Sequence, residues 1–117
     1  MKNARQLLSC LLLISAALIV HGCATAVRVP PQARFQARPQ YPFEMRRAGI
    51  SGEVVVEFVV DKEGIPRRVR AVRSSKKDFE KAAVTAVEKW RFKPGTSDGQ
   101  PVDTLMAVPI VFSLNEV

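Results

Sequence analysis

An α+β domain, with a three-stranded antiparallel sheet in the spatial order 2-1-3 and one helix packed across it, is what this sequence predicts. Three observations carry that expectation. Val54, Val55, Val56, Phe58, Val59 and Val60 make residues 52–60 a dense β-branched and aromatic run, suited to a pleated and well-covered strand. Phe79, Ala82, Ala83, Ala86, Val87 and Trp90 recur at i, i+3 and i+4, the stripe of an amphipathic helix. Val102, Thr104, Met106, Val108, Ile110, Phe112 and Leu114 alternate along the last segment, the period of a strand with one buried face.

The elements follow in chain order. Residues 1–22 read as an export signal of the lipoprotein type. Lys2 and Arg5 form a basic start, Leu7 to Val20 is apolar apart from Ser9 and Ser15, and Gly22-Cys23 closes the run. The apolar stretch is shorter than the roughly 20 residues of a membrane span, and its layout is that of a cleaved leader. Gly22-Cys23 resembles the bacterial lipobox, which makes Cys23 the expected lipidation site and new N-terminus. An uncleaved anchor and an ordinary cleaved signal are the alternatives. Cleavage before Cys23 reduces 18 basic residues to 16 against 11 acidic ones, a net charge of +5. Cys10 leaves with the leader, so no disulfide can form within one chain. Export also separates the basic charge from nucleic acid, which leaves phospholipid headgroups, an acidic partner or simple solvation as its use.

Residues 23–40 hold Pro30, Pro31 and Pro39 among Arg28, Arg34 and Arg38 with no apolar period, and read as an extended linker. Seventeen residues beyond Cys23 reach at most roughly 55 Å. The folded domain is expected over 41–117. Pro42 suits the start of a short helix and Gly49 its end. The first strand, 52–60, carries apolar residues on both faces, as a central strand covered on both sides would. Its second cover is expected from residues 24–48 or from a second copy of the chain. Asp61-Lys62-Glu63-Gly64 then forms a hairpin turn. The second strand, Ile65 to Arg73, carries Arg67, Arg68, Arg70 and Arg73, a charge density that protects an edge against pairing; an anion-binding stripe is the functional alternative. Ser75 and Asp78 have capping-box spacing ahead of the helix, and Lys93-Pro94-Gly95 stops it. Trp90 and Phe92 read as core. A turn-rich loop from Thr96 to Pro101 leads to the third strand, where Pro109 demands an edge or a bulge.

Catalysis has no support in these residues. Beyond the leader there is no His, Ser74 and Ser75 have no base to activate them, and Asp61 and Glu63 sit in an exposed turn. No cofactor or metal is expected. The third strand, by contrast, is long and interrupted by only one charge, Asp103, so its free edge is either an aggregation hazard or a docking site for an extended peptide by strand addition, unless a partner chain or the linker already covers it. A proline at Val108 or Ile110 is expected to abolish such docking.

Pro39-Gln40-Tyr41-Pro42, Ala48-Gly49-Ile50-Ser51-Gly52-Glu53-Val54, Val60-Asp61-Lys62-Glu63-Gly64, Ser74-Ser75, Phe79-Glu80-Lys81-Ala82-Ala83, Lys89-Trp90-Arg91-Phe92-Lys93-Pro94-Gly95 and Pro109-Ile110-Val111-Phe112 together resemble the C-terminal domain of the TonB energy transducers, over residues 39–115. The resemblance implies a non-catalytic periplasmic module. It implies that the third strand and the segment before Tyr41 receive an extended segment of a TonB-dependent outer-membrane receptor or another envelope protein. Carried over by position, the partner-binding residues are Arg38, Gln40, Tyr41, Thr104, Leu105, Met106, Val108, Ile110 and Phe112. Ala24 after Cys23 resembles outer-membrane sorting. The alternative is a short inner-membrane transducer for uptake of iron chelates or cobalamin. Self-pairing of the third strand into a homodimer is a further expectation.

Overall fold

The computed structural model describes residues 25–115; the leader, the proposed lipidation site Cys23 and the inner-membrane anchor reading lie outside them. β1 (Arg28–Val29), β2 (Gln32–Phe35), α1 (Phe43–Arg47), β3 (Gly52–Val60), β4 (Pro66–Ser74), a 3₁₀ turn (Lys77–Phe79), α2 (Glu80–Glu88), β5 (Arg91–Lys93), β6 (Gly95–Ser97), β7 (Gln100–Val102) and β8 (Thr104–Phe112) follow one another. The main sheet has the order β4-β3-β8, antiparallel throughout, which is the expected 2-1-3 arrangement. β1-β6-β7 and β2-β5 form two smaller sheets.

One face of β3 makes the core. Val54, Val56, Phe58 and Val60 are fully buried with Phe79, Ala83 and Val87 of the helical segment, and Trp90, Phe92, Ile110 and Phe112 close around them. The predicted helix stripe is therefore the buried one, with Ala82 half-buried at its margin. The aromatic side chains interlock. Phe79 stacks on Phe112 at 4.6 Å, and the edge of Tyr41 meets both, at 5.6 and 5.8 Å. Offset and edge-on contacts of this kind add attraction beyond area burial.

The β3–β4 turn is held by one carboxylate. Asp61 Oδ1 accepts from the Glu63 and Ile65 amides, both at 2.9 Å, and Oδ2 accepts from Arg67 Nε at 3.0 Å. The Ile65 amide foremost lowers the Asp61 pKa below its ordinary 3.8; loss of solvent around the carboxylate opposes it, and Arg67 and the Glu63 amide add to the lowering. Gly64 takes φ +82°, and its α-carbon lies against the Phe92 carbonyl, so the turn is fastened to β5. β4 carries two register shifts, opposite Val55/Val56 and Glu57/Val59, and Arg68 has φ 53° at the second. These bulges keep Arg67, Arg68, Arg70 and Arg73 exposed although they are not evenly spaced, and bulges with charges defend an edge. Arg70 also pairs with Glu57 across the strands at 2.7 Å.

Four expectations need correction. First, residues 28–35 are not a free linker. Arg28 and Val29 pair with Ser97 and Thr96, and Gln32, Ala33 and Phe35 pair with Lys93, Phe92 and Arg91. Their partners are supplied from more than fifty residues away, so no local pattern announces them. Second, the loop over 96–101 is a β6–β7 hairpin turning at Asp98-Gly99, whose φ values of 50° and 80° are those of a tight primed turn. The third main strand consequently begins at Thr104 instead of Val102. Third, the capping box is absent: Ser75 Oγ accepts from the Glu53 amide at 2.9 Å, tying the end of β4 to the start of β3, and α2 grows from the 3₁₀ turn without a side-chain cap. Fourth, residues 37–45 pack on the helix side of the sheet, so the opposite face of β3 has no cover among the described residues, and Val55 and Val59 remain half-buried.

Candidate partner-docking groove

A strand offers a partner two things, unpaired main-chain groups and pockets for alternate side chains. β8 pairs only with β3 among the described residues, so its second edge presents main-chain groups. The register with β3 runs without a break from Thr104↔Val60 to Phe112↔Gly52, with Pro109 opposite Val55. Proline has no N–H and occupies strand positions whose amide points away from the partner. Hydrogen-bonded and open pairs alternate in an antiparallel ladder. Leu105, Ala107 and Val111 therefore aim their N–H groups at the free edge, and Met106, Val108 and Ile110 aim theirs at β3. A proline at Val108 or Ile110 would break the β3–β8 ladder instead of the docking edge, which corrects the expected test; Ala107 is the position that probes docking.

Beside the C-terminal half of β8 runs a groove of about 410 Å³, walled on one side by residues 36–39 with Tyr41 and on the other by residues 109–114. The wall over 109–112 is held by the β8–β3 ladder, and the opposite wall is pinned by side chains. Trp90 Nε1 donates to the Ala37 carbonyl at 2.9 Å. The Tyr41 hydroxyl donates to the Ile50 carbonyl, and the Arg46 guanidinium lies 5.0 Å from the centre of the Tyr41 ring, a cation–π contact. The groove is thus formed before any partner arrives, which lowers the ordering cost of binding.

The structure brings four of the expected binding residues together here: Arg38, Tyr41, Ile110 and Phe112. Ile110 and Phe112 are buried in the core, so what they bring to the groove is backbone and floor. Gln40 instead lines a neighbouring hollow of about 330 Å³ against α2, with Lys81 and Lys89 at its rim. Thr104, Leu105 and Met106 lie at the opposite end of β8, where Leu105 is exposed and Met106 and Val108 are half-buried against the core. Sequence reasoning missed Gln36, Ala37, Arg46 and Trp90. Trp90 had a usable signal, because a buried indole N–H needs an acceptor, but its partner lies 53 residues away. Among the described residues no group of His, Cys, Asp or Glu side chains is arranged to hold a metal ion, and no helix is long and apolar enough to cross a membrane.

Comparison with known proteins places residues 37–114 in the family described as the Gram-negative bacterial TonB protein C-terminal. The chain is 38% identical over 78 residues to protein TonB of Xanthomonas campestris pv. campestris strain B100, covering 66% of this chain and 35% of that protein. It is 33% identical over 86 residues to protein TonB of Vibrio cholerae, covering 73% of this chain and 35% of that one. The chain thus spans about a third of the length of these relatives. Among solved structures, the solution structure of the Pseudomonas aeruginosa TonB C-terminal domain superposes with a TM-score of 0.62 at 24% identity, over 74% of this chain and 89% of that one. The TonB2 protein of Vibrio anguillarum superposes with a TM-score of 0.56 at 25% identity, over 73% of this chain and 82% of that one.

Proposed function

This chain belongs to the TonB C-terminal family, and from that premise we propose that it is a non-catalytic binding module of the cell envelope. It receives an extended segment of an outer-membrane receptor or another envelope protein as an added strand on β8. The observation that carries the reading is the pairing of a free, nearly uncharged edge with a pinned groove along it. Main-chain bonds to Leu105, Ala107 and Val111 supply affinity, and the walls at Arg38 and Tyr41 select side chains. The same reading places the module on the periplasmic side, held by a lipid on Cys23. The other reading, a short energy transducer kept in the inner membrane by an uncleaved N-terminus, is favoured by the relatives, which are named protein TonB.

Titration calorimetry with synthetic peptides of the receptor segments that TonB-type domains recognise tests the docking. The wild-type chain binds, and Ala107→Pro abolishes binding while the far-UV helix signal of α2 persists. Binding that survives Ala107→Pro refutes strand addition at β8.

A further inference from the structure

The pairing of residues 28–35 with the domain changes what the N-terminus can do. The Val27 amide donates to Asp98 Oδ1 at 2.9 Å, and the Asp98 amide donates to the Val27 carbonyl at 2.7 Å. Gly95 leaves space for the chain after Val27, since a β-carbon there would lie 3.2 Å from both the Val29 carbonyl and Pro31 and 2.5 Å from Thr104 Oγ1. Pro31 itself is buried. From Val27 onward the chain is therefore part of the folded body. Only four peptide steps separate Val27 from Cys23, roughly 14 Å at full extension, against the roughly 55 Å expected of a free linker.

The surface at this end has a composition of its own. Val27, Val29 and Phe35 are 67%, 47% and 55% exposed. Phe92 turns into the core, so its strand neighbours Arg91 and Lys93 face outward, where they stand opposite Phe35 and Gln32 in the ladder. Arg28 and Arg34 are exposed beside them. Arg91 is fixed by donating to the Glu88 and Trp90 carbonyls. The acids at this end are Asp98, which accepts from the Val27 amide, Glu88 beside Arg91, and Glu63 in the turn that meets Phe92, against the four cations Arg28, Arg34, Arg91 and Lys93. Exposed apolar side chains among cations, next to a membrane-held terminus, are the chemistry of an interfacial contact with anionic lipid.

We propose that the β1/β2–β5 side of the domain, with Val27, Val29 and Phe35 among Arg28, Arg34, Arg91 and Lys93, seats the domain directly on an anionic phospholipid leaflet. This rests on the reading that residues 1–23 hold the chain in a membrane, whether by a lipid on Cys23 or by an uncleaved segment; both leave the same short tether. The groove begins one residue after Phe35, at Gln36, so a docking segment must present itself close to that same leaflet.

The test uses the full chain reconstituted into vesicles of brominated phosphatidylcholine, with and without phosphatidylglycerol. Trp90 is 7% exposed and supplies an unquenched background. Phe35→Trp adds an emitter on the proposed contact. Val72→Trp adds one on β4, six residues along from Pro66 and eight from Gly64, whose carbonyl takes the Phe92 amide of β5. Bromolipid quenching is expected for the emission added by Phe35→Trp in the anionic vesicles and not for that added by Val72→Trp. Neutralising Arg34→Gln and Lys93→Gln is expected to lower the ratio of seated to unseated domains about fivefold for each cation removed. Equal quenching at the two positions, or none at Phe35→Trp in a chain that floats with the vesicles, overturns the seated geometry and leaves anchoring intact. A chain that does not float with the vesicles overturns anchoring and the seated geometry together.

Discussion

Gly64→Ala is the substitution whose cost can be worked most fully from the structure. Gly64 has φ +82°, and a β-carbon built there would lie 1.8 Å from the Phe92 carbonyl oxygen and 2.9 Å from its carbon. An L-residue held in the left-handed region costs about 1–2 kcal/mol. The overlap is with backbone, so relief requires moving β5, and forced overpacking of that kind costs about 1–3 kcal/mol. Moving β5 also weakens the bond from the Phe92 amide to the Gly64 carbonyl, 2.9 Å long, worth about 1 kcal/mol net. Alanine restricts the unfolded chain, which returns about 0.4–1 kcal/mol. The expected loss is about 2–6 kcal/mol, a large part of the roughly 5–13 kcal/mol available to a domain of this size. Gly49→Ala is the control, because Gly49 has φ +69° with nothing within 4 Å of a built β-carbon, so only about 1 kcal/mol of conformational cost remains. Urea unfolding followed by Trp90 fluorescence measures both midpoints. Equal losses for the two variants would refute the idea that the turn is fastened to β5 by close backbone approach.

Other perturbations have equally definite outcomes. Trp90→Phe keeps most of the buried area but removes the bond to the Ala37 carbonyl; about 1 kcal/mol of stability is lost, and faster amide exchange over 36–41 should show the groove wall loosening. Phe79→Ala removes a fully buried ring that stacks on Phe112, and a loss of about 3–5 kcal/mol is expected in the same urea assay. Because the folded-state pKa of Asp61 is lowered from 3.8, chiefly by the Ile65 amide, its stabilising contribution is complete above the unfolded value and disappears as pH falls through the folded one. Melting temperatures across the acid range should therefore fall less steeply in Asp61→Asn, whose neutral-pH stability is already reduced. Intact mass of the N-terminal peptide from membrane-purified protein, beside Cys23→Ala, separates the two anchoring readings: an acylated Cys23 supports the lipid anchor, and a retained Met1 or Lys2 the transducer.

The main sheet and its helix were legible because their signals are local and periodic. The valines of β3, the stripe from Phe79 to Trp90 and the alternation of β8 each state which face is buried, and Pro109 alone marks β8 as an edge. Its meaning for the docking surface goes further: once the register with β3 is known, the proline identifies which amides are free. The Asp98-Gly99 turn was also within reach of a sequence reading, since two short strands around such a dipeptide are a hairpin signal. The apolar second face of β3, in contrast, misled the expectation that residues 24–48 cover it, because valines satisfy strand propensity whether or not the same chain lies over them.

Local pattern determined the three main strands and the helix between residues 52 and 112, the hairpin turn and Pro109 determined the order of the main sheet, and the aromatic character of Trp90 and Phe92 beside the helix determined their burial. Tertiary structure decided where residues 27–41 go. Their partners, Lys93, Thr96, Ser97, Asp98 and the indole of Trp90, are supplied by chain more than fifty residues away, and four exposed residues of β2 carry no apolar pattern that could announce a pairing made almost wholly through the backbone. Main-chain hydrogen bonds are the same for every residue except proline, so a strand held by them is invisible to composition. The groove and the short tether both depend on that pairing, which is why neither could be read before the chain was seen folded.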